Sequence, residues 1–206
     1  MELNPHDLLK LEVSQDLISF NPIPEWVSDS LKKAPYVVVR RASGTKDMAA
    51  VGIRGDNRSE RFAAFLPFAK IKERITPEQI VENKLWHRSE RIHYIAALSA
   101  LLQVNEIMGK HSVTWGPTGS VGFELATCVP TVNTSSDLDL VIPRFIDIKK
   151  ARQILKDLCE LDVRLDVQLE TGKGAISLLE FSRGDSHVLL RTKHGPRLVD
   201  LFELQK

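Results

Sequence analysis

Up to about residue 75 the apolar residues come in short runs broken by proline and turn residues. Pro22, Pro24 and Pro35 punctuate the start. Tyr36-Val37-Val38-Val39-Arg40 is a β-branched run that predicts a strand. Ala49-Ala50-Val51-Gly52-Ile53-Arg54 predicts a second, closed by the turn signal Gly55-Asp56-Asn57. Residues 61–68 fit a third strand or a short helix. The pattern then changes. Thr76-Pro77-Glu78 predicts a helix start, with Thr76 as cap and Pro77 at the first helical position. Ile92, Ile95, Ala96, Leu98, Leu102 and Ile107 recur at helical spacing, predicting a helix over 88–108 with Gly109 as its stop. Val113-Thr114-Trp115 predicts a short strand. Residues 121–127 predict a helix opening directly after the loop Gly116-Pro117-Thr118-Gly119-Ser120. Residues 138–142 predict a central strand. An amphipathic helix is expected over 147–161, with Ile148, Ala151, Ile154, Leu155 and Leu158 on one side. Residues 163–169 alternate and predict a strand, and further short strands are expected at 175–181, 187–191 and 197–202. The fold class expected is α+β. A small β-rich N-terminal domain (1–75) precedes a domain (76–206) with a mixed sheet flanked by helices.

Composition narrows the function classes. The net charge of a 206-residue chain is only +1, so no global field draws it to nucleic acid or to a membrane surface. Charge is nevertheless uneven: residues 40–74 hold nine lysines and arginines against four acids, and residues 172–197 hold five against two. The two cysteines, Cys128 and Cys159, form no CxxC and have no histidine at zinc spacing, so free, partly buried thiols are expected. The first residues lack the apolar stretch of a signal peptide, and no window approaches the length of a membrane span. The location expected is the cytoplasm, with neither nucleic acid nor membrane as partner.

The chemistry concentrates between residues 116 and 169. Asp137 and Asp139 flank Leu138 on a run that reads as a strand. Alternation sends both carboxylates to one face, about 7 Å apart, while Leu138 and Leu140 face the other way. Such carboxylates repel unless a cation sits between them, and Mg²⁺ (or Mn²⁺) is the usual solution where a substrate brings phosphates. The Gly-Ser loop suits those phosphates. Gly119 admits close backbone approach, Ser120 offers a hydroxyl, and the helix that follows offers unpaired N–H groups. Asp166, between Leu165 and Val167, completes the set if its strand lies beside the central one. It would then be a third metal ligand and the base for an incoming hydroxyl. Each piece has a plainer reading: a Gly-Ser turn, two solvent-facing acids, and an Asp166 merely paired with Arg164 on its own face. The apolar run 138–142 is too hydrophobic for an exposed edge, and the Gly-Ser element precedes it in the right order.

This order of Gly-Ser, Asp-x-Asp between apolar residues, and a later lone carboxylate resembles the DNA polymerase β-like nucleotidyltransferase superfamily. The interval from Ser120 to Asp137 is long for it, implying an extended loop through Pro130 and Asn133. A closer resemblance covers nearly the whole chain, to the phosphoribosyl-dephospho-CoA transferase of malonate decarboxylase, its holo-acyl-carrier-protein synthase. It rests on His6-Asp7-Leu8-Leu9, on Val51-Gly52-Ile53-Arg54-Gly55 with Arg58 and Arg61, and on the segment from Trp115 through Thr127. Ser136-Asp137-Leu138-Asp139-Leu140, Leu189-Leu190-Arg191-Thr192 and Gly195-Pro196-Arg197 complete it. Cys128 departs from the glycine expected after Ala126-Thr127. The resemblance implies a donor, 2′-(5″-triphosphoribosyl)-3′-dephospho-CoA, and an acceptor, a serine of the apo acyl carrier subunit. It implies attack on the α-phosphorus with release of diphosphate, and it carries over Asp137 and Asp139 as the catalytic pair. The same chemistry on the citrate lyase carrier, an ATP-using nucleotidyltransferase that modifies a protein, and an idle RNA-binding module are the alternatives.

Arg144, Arg191 and Lys193, together with Arg183, are candidates for the triphosphate or the CoA phosphates, since guanidinium forks match phosphate. Arg191 is the best placed, on an apolar strand before a loop. His194 is a candidate to assist, and Trp115 is a core residue or a stacking partner for adenine. Arg40, Arg41, Arg54, Arg58 and Arg61 are expected to include a docking surface for an acidic carrier subunit.

Overall fold

The computed structural model describes residues 2–57, 59–201 and 204. They form two compact units, Met1–Thr76 and Pro77–Lys206. The first is a five-stranded sheet built from β1 (Leu8–Lys10), β2 (Tyr36–Val39), β3 (Met48–Arg54), β4 (Arg61–Pro67) and β5 (Glu73–Ile75). Its order is β4-β3-β2-β1-β5 and every pairing is antiparallel. The segment 61–68, which fitted strand or helix, is strand as far as Pro67, paired with β3 from Arg54↔Arg61 to Met48↔Pro67, and Phe68 opens a short 3-10 turn.

A helix that the pattern did not predict, α1 (Glu25–Lys33), belongs to this unit. Its apolar stripe is minimal. Val27 and Leu31, one turn apart, are its buried residues, and they join Leu9, Leu11, Val37, Val51, Ile53 and Leu66 in the core. Fully burying such an aliphatic side chain contributes about 1.5–3 kcal/mol, enough to make a short polar helix hold.

The second unit contains α2 (Pro77–Glu82), α3 (Ala96–Lys110), β6 (Gly116–Pro117), α4 (Gly119–Thr127), β7 (Leu138–Ile142), α5 (Ile148–Leu158), β8 (Leu165–Thr171), β9 (Gly174–Ser177), α6 (Leu178–Arg183), β10 (His187–Thr192) and β11 (Gly195–Asp200). The sheet order is β11-β10-β9-β8-β7-β6. β7 and β8 run parallel and the other pairings are antiparallel. A parallel neighbour requires a crossover, and α5 supplies it. Asp147 caps that helix by accepting from the Lys150 N–H (2.9 Å), and Ala151, Ile154 and Leu158 are buried. α5 packs on α3 and α6, while α2 and α4 pack on each other and on β6. The α+β expectation holds.

Several boundaries differ from expectation. The helix foreseen over 88–108 begins only at Ala96, after a short 3-10 turn at Leu85–Arg88, and it continues through Gly109, where a side chain would meet open space. The strand expected at 113–115 is displaced to Gly116–Pro117, and Trp115 is core. The segment 175–181 divides. It is strand as far as Ser177, and then Leu178, Phe181 and Ser182, at helical spacing, are buried on α6. The last strand is Gly195–Asp200, and Phe202 lies outside the described residues.

Candidate active site

The parallel pairing of β7 with β8 brings two acids from distant segments together. Its register sets Leu138 opposite Leu165, Asp139 opposite Asp166 and Leu140 opposite Val167. Residues directly opposite share a face, and neighbouring strands lie about 4.8 Å apart. Asp139 and Asp166 therefore stand side by side, both half-buried. Leu138 and Leu140 project to the other face, with 0% and 1% exposure. Asp137 lies just ahead of β7. Its lateral neighbour is Arg164, whose carbonyl accepts from the Leu138 N–H (2.9 Å) and whose Nε is 3.7 Å from Asp137 Oδ2. The plainer reading of Asp166 paired it with Arg164; the register sets Arg164 beside Asp137 instead. With the Arg164 side chain 83% exposed, the pair is worth at most about 1 kcal/mol.

The Gly-Ser bend sits against this pair of strands. The Thr118 N–H donates to the Asp139 carbonyl (2.8 Å), which fastens the start of α4 to β7. Gly119 follows with φ +59°, the left-handed region. A Cβ there would stand 1.9 Å from Asp139 Oδ2. Two independent constraints, conformation and space, thus demand glycine, and the second is imposed by the carboxylate itself. Ser120 is the next residue, half-buried on the first turn of α4.

Gly119, Ser120, Asp137, Asp139 and Asp166 are thereby gathered by backbone geometry. Their donors are hard oxygens of the kind Mg²⁺ prefers. Among the described residues, however, no three acidic, histidine or cysteine side chains converge closely enough to hold a metal ion. The Asp137 carboxylate lies toward Arg164.

The basic candidates are dispersed. Arg144 is exposed beyond the far end of β7. At 3.3 Å per residue its backbone is roughly 16 Å from Asp139, so it does not join the acids. Arg191 shares the acids' face. It pairs with Ala175, which pairs with Glu170, four residues along β8 from Asp166. That is two strands across and about 13 Å along. Lys193 is exposed at the tip of the β10–β11 hairpin, beside His194, and Arg183 is exposed at the end of α6. Trp115 is 3% exposed, which excludes it as an open stacking platform. In the first unit Arg54 and Arg61 face each other across β3 and β4, and Arg58 lies outside the described residues.

Both cysteines are exposed, not partly buried as expected. Cys128 ends α4 at φ +60°. This left-handed capping position favours glycine, which gives a physical reason for the glycine expected there.

Sequence reasoning passed over one further pair, Arg91 and Glu124. Glu124 is 5% exposed. Both its oxygens accept from Arg91 Nη1 (2.9 Å each), and Oε2 also accepts the N–H groups of Thr131 (2.7 Å) and Val132 (2.8 Å). The only trace in the sequence is a charge set between Phe123 and Leu125.

The model of the phosphoribosyl-dephospho-CoA transferase MdcG C-terminal domain matches residues 84–201, and that of the MdcG N-terminal domain matches residues 4–77. The chain belongs to the phosphoribosyl-dephospho-CoA transferase family. Proteins of that name are similar over most of their length. The one from Pseudomonas syringae pv. tomato is 38% identical over 200 residues, 95% of this chain and 90% of the relative. That from Pseudomonas putida strain GB-1 is 38% identical over 197 residues, 95% and 92%. That from Klebsiella pneumoniae is 35% identical over 197 residues, 95% and 93%. No solved structure matches. In this transferase family member the C-terminal match contains every acid of the candidate site, the Gly-Ser bend and both members of the Arg91–Glu124 pair. Among the described residues no helix is long and apolar enough to cross a membrane.

Proposed function

We propose that the chain transfers the 2′-(5″-phosphoribosyl)-3′-dephospho-CoA group from 2′-(5″-triphosphoribosyl)-3′-dephospho-CoA to a serine of the apo acyl carrier subunit of malonate decarboxylase, in a site of the polymerase β-like nucleotidyltransferase kind. The observation that carries this reading is the register of Asp139 with Asp166 beside a glycine that Asp139 itself excludes from being anything else. The serine oxygen attacks the α-phosphorus of the donor. The bond from that phosphorus to the bridging oxygen breaks, diphosphate leaves, and a phosphodiester remains.

Asp166, half-buried and opposite Asp139 in the β7–β8 register, accepts the serine proton. The Gly119-Ser120 bend receives the polyphosphate on the N–H groups at the start of α4. Asp139 and Asp166, opposite each other in register, would hold Mg²⁺ (or Mn²⁺) together with Asp137 only once Asp137 turns from Arg164 toward them; the ion would then neutralise charge on the phosphates. Arg191, on the same face, suits a more distant phosphate of an extended donor.

The experiment is incubation with apo carrier and the triphosphoribosyl donor, read by intact-mass spectrometry. The expected result is one phosphoribosyl-dephospho-CoA adduct per carrier and one diphosphate released. Labelling of the carrier from ATP instead, or of the citrate lyase carrier with equal efficiency, would overturn the assignment of substrates.

A further inference from the structure

The segment between α4 and β7 delivers Asp137 to the site, and almost every residue in it is tied down. Glu124 Oε2 takes the N–H groups of Thr131 and Val132. Arg91 bridges the same place from the other side: Nη1 holds both Glu124 oxygens and Nη2 donates to the Val132 carbonyl (2.6 Å). Thr131 Oγ1 donates to the Ser120 carbonyl (2.9 Å), which ties the loop to the Gly-Ser bend. The next four residues close on themselves. Asn133 Oδ1 accepts from the Ser135 N–H (2.9 Å), the Ser136 N–H donates to the Asn133 carbonyl (3.1 Å), and the Asn133 N–H donates to Ser136 Oγ (3.0 Å). Asp137 is the next residue.

Burial of a carboxylate costs several kcal/mol unless cations and N–H groups satisfy it. Arg91 and the N–H groups of Thr131 and Val132 satisfy Glu124 here and together form a strap across the loop. Oε2 already accepts three hydrogen bonds, so this oxygen has little capacity left for substrate or metal. Three backbone groups of a loop have thus been anchored by one charged pair whose members are 33 residues apart.

We propose that Glu124 and Arg91 are positioning residues for the transfer step, setting the loop that presents Asp137 to the Gly-Ser bend without touching the substrate. This rests on the reading of Asp137 and Asp139 as the transfer site. A displacement of about 1 Å at a reacting centre costs on the order of 10²-fold in rate. Loosening the strap should therefore lower kcat and leave ground-state binding of the donor almost intact.

The test compares the full-length wild type with Glu124→Gln and Asp139→Asn, using apo carrier and the triphosphoribosyl donor at 25 °C, together with amide hydrogen exchange. Glutamine keeps the shape but loses the charge that holds Arg91 and one strong acceptor for the two N–H groups. The expected result for Glu124→Gln is a 10- to 100-fold fall in kcat, a KM for the donor within twofold of wild type, and faster exchange at the Val132 amide. Faster exchange at Val132 with kcat within twofold of wild type overturns the proposal, and so does an equal loss expressed only in KM. If Glu124→Gln does not fold, Thr131→Val, at an exposed site, decides: about a threefold fall in kcat supports the strap, and an unchanged kcat rejects it. Asp139→Asn separates the two levels. Its full activity would end both readings, whereas its inactivity beside an unaffected Glu124→Gln would end only this one.

Discussion

Asp7 of the first unit and the acids of the second unit's candidate site stand in opposite environments. In the first, Asp7 is 1% exposed and lies 2.8 Å from Arg74 Nε, with the Asn4 N–H on its Oδ2. It fastens the segment entering β1 to the edge strand β5, and Arg74 Nη1 reaches on to the Glu2 carbonyl (2.8 Å). In the second unit Asp137, Asp139 and Asp166 are all partly open to solvent, and Arg164, the cation beside Asp137, is largely exposed. A carboxylate that stabilises a fold is buried with its partner; a carboxylate available for chemistry keeps a face open. Topology follows the same division. Antiparallel pairing joins consecutive or edge strands in the first unit, while the parallel β7–β8 pair of the second places side by side two acids separated by the whole of α5.

The largest effect that could break this contrast is at the second unit's acids. Asp139→Asn and Asp166→Asn should each lower transfer at least about 1,000-fold, or about 4 kcal/mol of barrier, with a melting temperature close to wild type. A large loss of stability with activity retained on the folded fraction would reverse the roles assigned to the two units. Asp7→Asn should do the opposite. It leaves the Arg74 charge without its buried partner, so unfolding in urea should show a loss of about 3 kcal/mol, while kcat per folded molecule stays near wild type. Gly119→Ala lies between the two, since it strains the backbone and displaces a carboxylate. Calorimetry should show about 1–2 kcal/mol lost, and the carrier assay at least a tenfold lower kcat. A variant with wild-type kinetics would separate the bend from the chemistry.

Smaller effects sharpen the picture. Replacing Cys128 with glycine relieves a left-handed conformation at the end of α4 and should stabilise the protein by about 1 kcal/mol, visible as a higher midpoint in denaturant. On the proposed reading, the arginines of the first unit serve partner binding. If the acceptor is an acidic carrier protein, as proposed, Arg61→Glu should raise its KM a few-fold and leave that for the CoA donor unchanged, with an effect that shrinks as salt rises. Identical carrier kinetics would remove the first unit from carrier recognition.

Much of the fold was legible because it is written locally. The apolar run 138–142, the alternating run that became β8, the capping Asp147 with its stripe of Ala151, Ile154 and Leu158, and the hairpin β3–β4 all follow from spacing and caps. What escaped was short or weakly patterned. α1 has two buried residues, β1 and β5 have three residues each, and α6 follows β9 without any break residue. Local signals of that size do not outweigh the alternatives, and tertiary burial decides them.

By itself the chain specified which residue types stand where: a glycine-serine bend before a helix, two acids on an apolar strand, a third on the next strand, and segments whose period fits α+β. Only the tertiary structure decided register and neighbourhood. It set Asp139 beside Asp166 and against Gly119, moved Arg164 to Asp137, left Arg144 at the far end of β7, and enclosed Glu124 with Arg91. The physical reason is range. Helical and strand periods are read over a few residues, whereas a parallel pairing or a buried ion pair joins positions tens of residues apart. Its geometry is set by how whole elements pack, which no local pattern contains.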